Sequence, residues 1–376
     1  MEIDTNRNEV QDGVRGVLVL LACLEHFGAI LNSWYIDYFS PSNLFGMWRD
    51  PREVLLYSIH SEWVGHALPV DGLTRICCQV LVPWVTPLFI ALSGFNLSRS
   101  SPERLRSGYH ERVGTYLFLF ILFLVENLIV SPDFGIGLSL FPISVWFLVL
   151  AMLLTVQRYT GLLGVGICFI ASAGVNSALV LRGVDFRPLG AVLEKIHPWA
   201  QNSAEPLHYL PFAALGFLLG VQFRRQRSSE WIRGSNPVFW LIVLLTGVAG
   251  WMSRDLFQID PEMLFAMDEL LLSSFWGQLF LYGAILLALG GIHRFREVET
   301  GGLNRLWVWV GKHSLAIFFI HRILFVKVLA PLRLHVGSYF GIPMTNTAYE
   351  LLGFMGLVLI LYRVLEKRGF FGRMFH

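Results

Sequence analysis

The chain has 376 residues, 55% of them apolar and 15% charged, with a mean hydropathy of +0.57. That balance excludes an ordinary water-soluble globular domain and marks a polytopic membrane protein. The net charge of +2 points to no partner by itself, and the arginines fall in short clusters between apolar runs, which excludes the single basic face of a nucleic-acid binder.

Window hydropathy places spans near residues 14–34, 76–98, 113–130, 138–156, 161–181, 207–223, 237–253, 270–292, 306–329 and 348–365. The expected fold is therefore an all-α, polytopic integral membrane bundle of about ten transmembrane helices, forming one domain over residues 1–376. The opening MEIDTNRNEVQDG is polar and acidic, and no small-residue cleavage site follows a short apolar core. An uncleaved first span is expected, without a signal peptide. Basic clusters fall on alternate sides: Arg99, Arg104, Arg106 and Arg112; Arg224, Arg225, Arg227 and Arg233; Arg294, Arg296 and Arg305; Lys367, Arg368 and Arg373. Cytoplasmic loops carry the positive excess, so these segments and both termini are expected in the cytoplasm.

The opposite side holds the acidic stretch Asp255 to Glu269 and two long segments, 35–75 and 182–206, which mix aromatic and charged residues. Such a mixture suits amphipathic helices lying at the interface, where an extracytoplasmic substrate would be met. Cys23, Cys77, Cys78 and Cys168 all lie in or beside apolar runs, without metal-like spacing, and read as packing thiols. There is no internal repeat, low-complexity tract or flexible linker.

The first span, Arg15-Gly-Val-Leu-Val-Leu-Leu-Ala-Cys-Leu-Glu-His26, carries the most informative residues. On a helix, 11 steps bring Arg15 and His26 within ~20° of one face and about 16 Å apart along the axis. Arg15 would then stand at a membrane surface and His26 near mid-depth, with Glu25 turned about 100° away. Ionisable side chains at that depth face a bundle interior, an aqueous cavity or a working site. The second span ends in Pro87-Leu-Phe-Ile-Ala-Leu-Ser-Gly-Phe95, expected to break at Ser93-Gly94 by the cytoplasmic boundary. The ninth contains Gly311-Lys-His-Ser-Leu-Ala-Ile-Phe-Phe-Ile-His321, which sets His321 about 15 Å from Gly311, near the depth of His26.

These stretches resemble the transmembrane acyltransferase superfamily. The Arg-to-His spacing, the LSGF ending and the G-x-x-S…H pattern are similar to the acyltransferase-three family, which O-acylates bacterial surface glycans. GLTRICCQVLVPWVTPLFIALSGF, followed by HERVGTYLFLFILFLVE, resembles the membrane domain of heparan-α-glucosaminide N-acetyltransferase and its bacterial relatives. The first resemblance implies His26 as the catalytic residue, and the second implies His66, in HALPVDGLT, just before the second span.

The resemblance implies a membrane enzyme that takes an acyl group from cytoplasmic acyl-CoA and passes it to an extracytoplasmic acceptor. Arg15 would hold the CoA phosphates through its guanidinium fork, with Lys312 at the same edge. A pantetheine arm would bring the thioester to His26, which takes the acceptor's proton or accepts the acyl group itself. Glu25 or Asp71 would orient that imidazole, Ser93 and Ser314 would donate to the thioester oxygen, and Arg75 and His321 are further buried polar candidates. The expected donor is acetyl-CoA or another acyl-CoA, with no metal, and the expected acceptor is a glycan. O-acetylation is favoured over N-acetylation. Membrane lipid and a bacterial inner-membrane location follow, while a homodimer stays open. The rival is a proton-coupled transporter or flippase, with Glu25, His26 and His321 as relays. The absence of an inverted repeat weighs against it.

Overall fold

The computed structural model describes residues 9–32, 84–99, 105, 107–130, 142–184, 188–193, 195, 205–225, 236–254, 271–294, 304–341 and 347–369. Among these the regular structure is helical throughout, with no strand. In chain order the helices are α1 (Glu9–Asn32), α2 (Val85–Arg99), α3 (Tyr109–Val130), α4 (Pro142–Leu181), α5 (Pro188–Leu193), α6 (Pro206–Arg225), α7 (Pro237–Met252) and α8 (Phe275–Arg294). They continue with α9 (Asn304–Lys312), α10 (Ser314–Leu324), a π-helical turn over Phe325–Leu329, α11 (Ala330–Phe340) and α12 (Ala348–Lys367).

Among the described residues four helices are long and apolar enough to cross a membrane: Ser144–Leu181, Pro206–Arg224, Phe275–Arg294 and Ala348–Lys367. Their outward faces are rich in exposed apolar side chains. Leu163 is 75% exposed on α4 and Ile360 60% on α12, and the shorter apolar helix α7 leaves Trp240, Leu244 and Trp251 exposed. In water such a surface would drive association; against lipid tails it costs nothing.

The division expected between the fourth and fifth spans is kept, and the continuity expected of the ninth is corrected. The fourth and fifth expected spans fall on α4, in which Gly161 adopts φ 66°, ψ −156°, a conformation closed to side chains with a Cβ. An unbroken helix of 40 residues would be about 60 Å long, twice the hydrocarbon thickness, and the glycine divides it into halves of membrane length. The ninth expected span is broken at His313 (φ −101°, ψ 13°), which caps α10, and its path runs on through the π turn into α11.

The chain gathers into two compact units, the first holding α1 and α9 to α12, the second α2 to α8. In the first unit α1 packs on α9, α10 and α12. Small residues make the α1–α9 approach possible, since a Cβ on Gly16 would collide with the Trp307 carbonyl and one on Gly311 with the Asp12 carbonyl. Below this crossing Val19, Phe27, Ile317, Phe325 and Val358 are wholly buried.

In the second unit α2 lies against α6 in the same manner, with Gly94 over the Ala213 carbonyl and Gly216 over that of Ala91. Ser93-Gly94 is therefore no break: α2 runs through it to Arg99, and the glycine serves the contact with α6. Polar ties complete the unit, as Asn176 Nδ2 donates to the Leu207 carbonyl at 2.8 Å and Gln278 Nε2 to that of Leu272 at 2.7 Å.

Candidate functional site

The site grows from α1. Asp12 stands in its first turn, where a carboxylate suits the exposed backbone N–H groups, and lies 3.6 Å from the Arg15 guanidinium. The helix is unbroken from Arg15 to His26, so the two remain on one face about 16 Å apart. Leu18, Val19, Ala22 and Cys23 between them are buried.

His26 Nδ1 lies 2.8 Å from His321 Nε2. The rings are nearly parallel, 15° apart, with centroids separated by 5.0 Å. His321 Nδ1 in turn lies 2.7 Å from the Phe318 carbonyl oxygen one turn earlier on α10. His321 is wholly buried, whereas His26 keeps part of its surface accessible. Among the described residues His26 makes no other hydrogen bond, so its Nδ1 is engaged and its Nε2 is not.

Aromatic rings wall the pair. Phe318 stands edge-on to both imidazoles, at 84° to His26 and 81° to His321. Phe27, next to His26, stacks on Phe325 at 4.3 Å between centroids, and Phe354 of α12 closes edge-on against both. The π turn begins at Phe325, four residues past His321, and wide turns of this kind gather at functional sites. Arg322, beside His321, is buried as well.

Of the residues singled out from sequence, Arg15, Glu25, His26, Lys312, Ser314 and His321 fall in the first unit, and Ser93 in the second. Glu25 is buried, and the group that stands at His26 Nδ1 is His321. Lys312 is exposed at the end of α9, and Ser314 opens α10 half-buried. Ser93 donates its hydroxyl to the Phe89 carbonyl at 2.9 Å, the usual local satisfaction of a helical serine. His66, Asp71 and Arg75 lie outside the described residues. Among the described residues no three His, Cys, Asp or Glu side chains gather closely enough to hold a metal ion.

Two features escaped sequence reading. One is the Phe318 carbonyl, which no side-chain motif announces. The other is a cluster around His313, whose Nδ1 lies 2.9 Å from the Tyr362 hydroxyl and whose Nε2 lies 3.3 Å from Glu366 Oε1. Arg363 pairs with the same Glu366 and lies over the Trp309 ring, 5.2 Å from its centroid. The signal for this cluster is Tyr362 and Glu366 standing four apart, hence on one helix face, in a span rich in apolar residues. The chain matches no protein-family model, no curated protein and no solved structure.

Proposed function

We propose that the protein is a membrane-embedded acyltransferase that moves an acetyl or other short acyl group from cytoplasmic acyl-CoA to a sugar hydroxyl, or an amine, of an extracytoplasmic glycan. In this reading about ten helices span a bacterial inner membrane with both termini in the cytoplasm. The observation that carries it is His26: a largely buried imidazole, tied at Nδ1 to His321, on the same helix face as Arg15 about 16 Å away. That distance suits a donor held by its phosphates at Arg15 with its thioester near His26. His26 is then the base that takes the acceptor's proton as the oxygen attacks the thioester carbon. Ser314 and Lys312 remain candidates on the donor side, and His66 is the alternative base.

The test is thiol release from acyl-CoA by the purified full chain in nanodiscs, with cell-envelope glycan supplied. Wild type, His26→Ala and His66→Ala are compared for turnover and for CoA binding. Loss of turnover in His26→Ala with CoA binding retained is the expected outcome. A wild type that neither binds CoA nor releases thiol would overturn the reading.

A second reading, proton-coupled transport, draws on the same 2.8 Å contact between two imidazoles, which is also a geometry for passing a proton. Ion-coupled flux without CoA would favour it.

A further inference from the structure

We infer that His321 is a positioning residue whose ring fixes the tautomer of His26 and makes His26 Nε2 the reacting nitrogen. This rests on the reading of His26 as the base and adds which of its two nitrogens acts and what decides it.

The assignment follows from donors and acceptors taken one at a time. A backbone carbonyl oxygen only accepts, so the 2.7 Å contact with Phe318 puts a hydrogen on His321 Nδ1. A neutral imidazole carries one such hydrogen, which leaves a lone pair on His321 Nε2. The 2.8 Å contact between that nitrogen and His26 Nδ1 needs one proton between them, and His26 supplies it. His26 Nδ1 is then the donor, and its Nε2 carries the lone pair. The backbone of α10 thus sets the state of a ring on α1, 295 residues away in sequence.

The surroundings hold this arrangement. His321 is 0% exposed, so water cannot offer its ring an alternative partner. Phe318 stands edge-on to both rings, and Phe27 lies 5.9 Å from His321 between centroids, so a flip of either imidazole would first have to displace an aromatic neighbour. The acceptor's hydroxyl proton passes to His26 Nε2 while its oxygen bonds to the thioester carbon. The carbon–sulfur bond breaks with its electron pair going to sulfur, and the thiolate recovers the proton from Nε2. Through these steps Nδ1–H stays bonded to His321, which holds the ring in place as its charge changes.

The experiment is nitrogen NMR of the full chain with ¹⁵N-labelled histidine rings in nanodiscs, without acyl-CoA, with the His26 signals identified by their loss in His26→Gln. A neutral His26 protonated at Nδ1 is expected in the wild type. In His321→Gln, whose amide oxygen still accepts, that tautomer persists, and in His321→Leu the two tautomers mix. A wild-type His26 protonated at Nε2, or a tautomer unchanged in His321→Leu, overturns the inference. Should the leucine variant fail to fold, the wild type and His321→Gln still decide. Thiol release gives the second readout, with kcat in His321→Leu falling by about 10²-fold or more and KM for acyl-CoA unchanged. A protein with the expected tautomer that never releases thiol sinks the acyltransferase reading and leaves the assignment of His321 standing.

Discussion

Tyr362 and His313 meet at 2.9 Å through the hydroxyl of one and Nδ1 of the other. With His313 neutral and its Nε2–H directed at Glu366, the Tyr362 hydroxyl donates to His313 Nδ1. Tyr362→Phe keeps the ring and removes the hydroxyl that makes this bond, so a loss of about 1 kcal/mol is expected, read as a lower thermal midpoint in detergent. His313→Ala severs both links and should lower it further. Equal midpoints for wild type and Tyr362→Phe would show that the bond contributes nothing.

The α1–α9 crossing should be intolerant of even one methyl group. In Gly311→Ala the new carbon meets the Asp12 carbonyl, a backbone atom that cannot swing aside, and about 1–3 kcal/mol of overpacking is expected. Gly353→Ala is the matched control, since nothing lies within 4 Å of a Cβ there. Thermal unfolding of the two in the same detergent checks the contrast, and similar midpoints would contradict the close approach.

Phe325 is wholly buried between Phe27 and Phe354, so Phe325→Ala removes a full ring from the wall beneath the histidine pair. The expected destabilisation is about 3–5 kcal/mol, with Phe325→Leu costing less because it fills more of the space. The measurement is the fraction of folded protein recovered after graded denaturant or heating.

Ser93→Ala is expected to leave thiol release within about threefold of wild type and stability within about 0.5 kcal/mol, because the hydroxyl serves its own helix at Phe89. A fall in kcat of about 10²-fold would instead return Ser93 to the donor site as a hydrogen-bond donor to the thioester oxygen.

The sequence was informative wherever a period or a composition carries the signal. Apolar runs marked out most of the helical segments, and the 11-step spacing put Arg15 and His26 on one face of a helix that is indeed unbroken. It was misleading at Gly94, which looks like a helix end and is a contact point, whereas the division expected between residues 156 and 161 does fall at the Gly161 kink. His321 could be set near the depth of His26 by counting, but the bond between them joins residues far apart in the chain and depends on rotation about both helices, which counting does not give.

The π turn at Phe325–Leu329 has a consequence for phase. A π turn holds about one residue more than an α turn, and one surplus residue rotates everything after it by about 100°. α10 and α11 therefore belong to two different angular registers even though the chain runs from one into the other. His321 keeps the register that aims it at α1, and Arg333 keeps the register that sets its Nε 2.8 Å from Glu350 Oε1 on α12. Deleting the surplus residue would leave the histidine aimed as it is and swing the arginine a quarter turn off its carboxylate, so the turn acts as a vernier that lets one continuous segment satisfy two neighbours.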